Sequence, residues 1–227
     1  MGKVHQLIKG KFSHSLFTFL AVFMASSWVL DQPAFAATTP GFTYMKVFNG
    51  KPVRWEKCSS LTYKIAFSGI SPNEAKNIQF ALHKISEVTG IKFESGGSTK
   101  VIPQKASWPT AVRANTDILI AFATPTFGPY FSSVLTGDTK IAFGGPQGNG
   151  TSWSRAGVVI DKRIFTRWHL SVTQRRDLYM HELGHAVGLG HSSMSGNIMH
   201  PGSYPANSDW GRGDLQGLKN LRPVRVC

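Results

Sequence analysis

His181-Glu182-Leu183-Gly184-His185-Ala186-Val187-Gly188-Leu189-Gly190-His191 is the stretch whose reading decides what this chain is. On a helix, residues four apart stand one turn from each other, so His181 and His185 project from the same face. Glu182 sits beside the first histidine, placed to reach a water at any metal the pair holds. A third ligand cannot come from simply continuing the helix; the chain has to turn. Gly188 and Gly190 supply the backbone freedom that swings His191 back towards the other two. Three neutral imidazoles with a fourth position open to water make a zinc site of the catalytic kind, not the closed structural kind. Glu182 is then the acid/base and not a ligand, taking a proton from the attacking water and delivering it to a departing amine. A bare pair of histidines around a glutamate is only suggestive, whereas the extended spacing with a glycine in place is specific. A helix that merely carries three solvated histidines is the alternative that this spacing disfavours.

The chain has 227 residues, 41% of them apolar, enough for one domain with a hydrophobic core and without internal repeats. Its formal charge of +13 invites a nucleic-acid reading. The basic residues are scattered, however, apart from Arg175-Arg176 and the tail with Arg222 and Arg225, whereas nucleic-acid folds concentrate them. A cationic surface is expected instead, with anionic cell-surface polymers as possible partners and no nucleic acid. At the N-terminus, Lys3, Lys9 and Lys11 precede an apolar run from Leu16 to Leu30 and the small-residue site Ala34-Phe35-Ala36. This pattern predicts a secretory signal peptide over residues 1–36, cleaved after Ala36, and an extracellular protein. The apolar run is short for a membrane span, and no other stretch is long enough, so no transmembrane segment is expected in the mature chain. Cys58 and Cys227 are the two cysteines; in an oxidising compartment they are either disulfide-bonded or two thiols that never meet.

Residues 37–52 read as an irregular lead-in. Leu61 to Phe67 alternates like a half-buried strand. Ser71-Pro72-Asn73-Glu74 offers an N-cap and an N1 proline to a helix with Ile78, Leu82, Ile85 and Val88 on one stripe and Gly90 as C-cap. His83 on that helix reads as a surface residue. Ile91 to Glu94 is a short strand, residues 95–109 a loop, and Asp117 to Ala123 a strand buried on both faces. Lys140 to Gly144 and Gly157 to Asp161 are two more strands, separated by the glycine-rich stretch 145–150. The histidine helix starts at Ser171 or Thr173, and a last helix runs from about Asp214 to Leu221.

The histidine motif, followed by Asn197-Ile198-Met199-His200-Pro201, resembles the metzincin clan of zinc endopeptidases. Ser192-Ser193 and Met199-x-Pro201 most resemble its matrixin family, and Gly213 to Leu218 is similar to the matrixin C-terminal helix. The resemblance covers roughly residues 53–222, with a specific motif and a weak match elsewhere. It implies an α+β fold in which a twisted, mixed five-stranded sheet and three main helices flank a zinc cleft. That cleft would lie between an upper sheet-containing part and a lower C-terminal part, within a catalytic domain over residues 53–227. It implies His181, His185 and His191 as ligands of one zinc, Glu182 as the catalytic residue, and Met199 as an apolar floor, with Gly188 and Pro201 shaping the turns. An edge strand near residues 140–145 would pair with an extended substrate.

The chain also departs from the family pattern. No Pro-Arg-Cys-Gly segment is present to block the zinc, and the loop that holds a structural zinc in vertebrate matrixins has no counterpart here. Calcium has no supporting pattern. The implied activity is hydrolysis of internal peptide bonds in protein or peptide substrates by a secreted monomer. Two other readings stay open: a cationic cell-surface binding protein with a non-catalytic metal site, and hydrolysis of another amide such as a peptidoglycan cross-link.

Overall fold

A computed structural model describes residues 41–56, 60–67, 69–101, 114–123, 141–202 and 205–223. The expected signal peptide, Cys58 and Cys227 lie outside them. The described residues all belong to a unit spanning residues 38–227.

Strands β1 (Val47–Phe48) and β2 (Lys51–Pro52) form an antiparallel hairpin, and β3 (Arg54–Trp55) follows directly. Residues 47–52, the last part of the expected irregular lead-in, are therefore a hairpin. Its turn is Asn49-Gly50, with φ 48° and 72°, the left-handed pair that a two-residue hairpin loop requires. Next come β4 (Leu61–Ala66), a 3-10 turn at Pro72–Glu74, and α1 (Ala75–Thr89). Ser71 caps the 3-10 turn through Asn73 N–H, and Gly90 closes α1 at φ 72°, as the sequence indicates. Ile78, Leu82 and Ile85 bury the expected stripe, while His83 is exposed beside Glu87.

The remaining strands are β5 (Phe93–Ser98), β6 (Ile118–Ala123), β7 (Ala142–Gly148) and β8 (Ser152–Asp161). The sheet order is β3-β8-β6-β4-β5, with β7 also on β8. Only β7 runs antiparallel, so the sheet is mixed, as expected, and the two-residue β3 adds a sixth member. Every residue of β6 is buried: Ile118, Ile120 and Phe122 enter the main core, and Leu119 packs on Ala114 from the other face. Three boundaries differ from the sequence reading. β5 continues through residues 95–98, β8 begins five residues earlier, and β7 runs through most of the glycine-rich stretch. The stretch stands between two expected strands in the sequence reading. At Gly148, however, a Cβ would collide with the Ser152 carbonyl oxygen of β8, so only a bare backbone can pair there; at Gly144, inside the expected strand, a Cβ would collide with the Glu182 carbonyl oxygen.

The helical part comprises a single turn, α2 (Arg163–Thr166), the long α3 (Val172–Val187) and α4 (Arg212–Lys219). Thus three main helices, α1, α3 and α4, stand among the described residues, and none is long and apolar enough to cross a membrane. α3 packs between α1 and β7. A buried polar cluster fixes its first turns. The Glu74 carboxylate accepts from Tyr179 Oη at 2.8 Å, Arg175 Nε at 2.9 Å and Asn77 Nδ2 at 3.0 Å, and Arg175 Nη1 donates to Leu170 O. Ser171 supplies a full capping box with Gln174. Ser171→Ala leaves orphan N–H groups at the start of α3 and is expected to cost about 1 kcal/mol, measured by urea denaturation.

Candidate metal centre

α3 carries His181 and His185 on one face and ends at Gly188, whose φ of 111° is open to glycine and strained for other residues. A Cβ there would also approach Trp153 Nε1 to 2.8 Å. The turn brings His191 back, as the spacing suggested. Ligating nitrogens of His181, His185 and His191 all lie within 4.8 Å of one another, the first two residues buried and the third exposed. Gly190 does not act through unusual backbone angles. It lets residues 43–44 approach: Gly190 N donates to Thr43 O at 2.8 Å, and a Cβ would meet Thr43 Oγ1 at 2.3 Å.

Two rings are oriented from behind. His181 Nδ1 lies 2.7 Å from Ile198 O and His185 Nδ1 lies 2.8 Å from Leu189 O. A carbonyl can only accept, so each Nδ1 carries the proton and each Nε2 presents its lone pair. His185 Nε2 and His191 Nε2 stand 3.2 Å apart, a separation that calls for a proton or a cation between them. Burial lowers the His181 imidazole to about 4 and the His185 imidazole to about 3, and lowers His191 as well. The set is neutral at pH 7, the form that ligates metal. This donor chemistry fits a zinc ion with three imidazole ligands.

Glu182 follows His181 on α3, buried, and desolvation raises its carboxyl to about 8. Met199 is fully buried against α3, its Sδ 2.6 Å from where a Cβ of Gly184 would stand. Pro201 is exposed just beyond this turn.

Several supports escaped the sequence reading. Asp214 was visible only as part of a helix. Its carboxylate accepts from Ile198 N at 2.7 Å, Gly211 N at 3.0 Å and Met199 N at 3.3 Å, so it holds the turn whose Ile198 carbonyl orients His181. Burial pushes the Asp214 carboxyl up while these three N–H donors pull it down. The N-terminal segment is the second support. Thr43 donates to His191 O through both N (3.0 Å) and Oγ1 (2.8 Å), Met45 N donates to Gly188 O, and Tyr44 bridges Leu189. Ser192 Oγ donates to Gly41 O and accepts from Asn197 Nδ2 at 2.6 Å. The only signals for these contacts were residue types able to make them; their partners are too distant in sequence to pair on paper.

The matrixin family model matches residues 153–221, the stretch that contains all three histidines, Glu182, Met199 and Asp214. Among curated proteins, none matches the chain. Among solved structures, one described as "Structure of Myroilysin" is similar, at a TM-score of 0.45 and 14% identity, covering 76% of this chain and 83% of that chain. The family match supports a zinc metallopeptidase in general, acting on protein substrates. With its histidine triad, its glutamate and its methionine turn all inside the matched stretch, the chain is similar to the matrixin family over residues 153–221.

Proposed function

We propose that this protein is a secreted zinc endopeptidase that hydrolyses internal peptide bonds. The observation that carries the reading is the convergence of three neutral imidazoles, with Glu182 buried next to His181 in the same helix. His181, His185 and His191 would hold one zinc ion. When bound, zinc acts as a Lewis acid that makes water a better nucleophile and polarises a carbonyl oxygen. Burial favours the neutral acid of Glu182, and the positive charge of a bound ion would draw it back to the carboxylate. That carboxylate accepts the proton of the water that attacks the peptide carbonyl. The same carboxyl then returns that proton to the departing amine nitrogen, so the broken bond leaves a free acid and a free amine. Ile198 O and Leu189 O keep the His181 and His185 rings from rotating away. Met199 fills the space beneath the helix and excludes water from that side.

β7 supports an endopeptidase in particular. It lies against α3 at the Glu182 backbone, so an extended peptide adding along it would run beside the histidine helix with chain continuing in both directions. Secretion rests on the N-terminal sequence pattern, with cleavage after Ala36, and the monomer and the single zinc belong to this same reading. Purified protein is expected to contain zinc at about one ion per chain. It is expected to fragment casein, to stop when a chelator strips the metal, and to resume when zinc is returned. Protein that binds anionic wall polymer and leaves casein intact would instead favour the binding-protein reading.

A further inference from the structure

Among the described residues five large apolar side chains are exposed, and three of them, Met45, Val47 and Phe48, sit on the β1–β2 hairpin and the step into it. Every residue from Met45 to Lys51 is exposed. Neighbours along a strand point to opposite faces, so Val47 and Phe48 leave an apolar side chain on each face of the hairpin. Val47 stands opposite Pro52 and Phe48 opposite Lys51, neither of them buried. A two-stranded hairpin is marginal in water by itself, and this one is held at its root. Thr43 and Met45 donate to the carbonyls of His191 and Gly188, and the buried Val53 donates to Lys46 O. β3 joins β8 directly afterwards. The chain thus fastens both ends of the hairpin, to the turn of the third histidine and to the sheet, and leaves its apolar tip in water.

Lys46 and Lys51 are interleaved with those side chains, and no acidic residue stands between Asp31 and Glu56. The whole chain carries +13. The lysines account for attraction to an anionic surface, about fivefold for each one held close to it. They give no reason for Met45, Val47 and Phe48, which gain nothing from a hydrated polyanion and leave water only for an apolar phase. A lipid surface supplies both. Its acyl chains take the apolar side chains, and its headgroup phosphates take the lysine ammonium groups while their methylenes lie alongside. A second copy of the hairpin would supply apolar area but set Lys46 and Lys51 against their own likes.

We propose that the β1–β2 hairpin docks this protein on anionic phospholipid membranes, with Met45, Val47 and Phe48 entering the interface and Lys46 and Lys51 on its headgroups. Because the root of the hairpin is bonded to the turn that carries His191, docking holds the metal site beside the lipid surface. Docking itself does not depend on the endopeptidase reading.

The test uses the zinc-loaded chain from residue 37 on, which keeps the compact unit of residues 38–227. Residues 1–36 are left off because their own apolar run would bind lipid. Co-sedimentation is measured with vesicles of phosphatidylglycerol and phosphatidylcholine in equal parts, and with phosphatidylcholine alone. Val47→Ser with Phe48→Ser is expected to bind the mixed vesicles at least about tenfold more weakly than the parent. Lys46→Gln with Lys51→Gln is expected to lose about tenfold on the mixed vesicles and little on the neutral ones. Parental melting temperatures show that the variants are folded. Hydrogen exchange of residues 45–51 in the parent is expected to slow on the mixed vesicles, a readout that needs no variant.

A folded serine variant that binds as tightly as the parent, unchanged exchange at residues 45–51, or a parent that stays in solution would each overturn the proposal. So would a parent that binds soluble polyphosphate and ignores the vesicles, which would assign the lysines to an anionic polymer. Self-association of the parent without vesicle binding, lost in the serine variant, would overturn it in favour of a second copy. If the serine variant does not fold, the exchange measurement decides. No arm measures cleavage, so failure of the endopeptidase reading leaves the result as it stands.

Discussion

Glu182→Gln is expected to keep zinc at the parental stoichiometry and to lose turnover by about two to four orders of magnitude. The amide has the shape of the carboxylate and none of its basicity, so it cannot take the proton of the attacking water. The fold should accept the change, because burial already disfavours the charged form of this side chain. The loss should fall on kcat, with KM little altered, since Glu182 acts on the reacting atoms and not on substrate binding. Metal analysis and thermal unfolding of the variant separate this outcome from simple loss of structure. A variant that cleaves as fast as the parent would show that another group moves the proton.

Asp214→Ala is the second large effect, and it falls on stability and metal affinity. The substitution removes the acceptor of three backbone N–H groups, those of Ile198, Met199 and Gly211. Leaving buried donors unpaired costs about 1–3 kcal/mol each, with part recovered where water enters, so a loss of about 3–5 kcal/mol is expected by urea denaturation. Asp214→Asn retains an acceptor oxygen and should lose less. Because Ile198 O orients the His181 ring, zinc should also bind about 10–100-fold more weakly. Asp214→Ala with parental stability and zinc affinity would show that the turn holds itself.

The histidine site was the most legible part of the chain, for a physical reason. His181 and His185 belong to one helix, Gly188 is the only kind of residue that ends it at φ 111°, and His191 follows within three residues. All the information lies in one short window. The same holds for Ser71, Gly90 and Ser171, whose caps act locally. β6 declared itself by its continuous apolar run.

Where the reading fell short, the deciding interaction was remote or the signal brief. Two-residue strands are too short to show alternation, so β1 and β2 were passed over although Asn49-Gly50 is a hairpin turn. The glycine-rich stretch reads as a break between two strands, because the β8 backbone that Gly148 accommodates is not visible in composition. Glu74 and Asp214 are legible only as parts of helices, and Asp177 carries no signal of its own. Each is buried, and each has its partners on another element. The sequence therefore displays the ligands, whereas the carboxylates that hold them in place become visible only in three dimensions.

The central claim is that the histidine triad and Glu182 together cut internal peptide bonds. It is tested most directly by digesting a proteome-derived peptide library with the zinc-loaded protein and with Glu182→Gln, and identifying new termini by mass spectrometry. The account expects many new internal termini from the parent and none above background from the variant. Equal sets of termini from both proteins, or no internal cleavage by the parent, would contradict it.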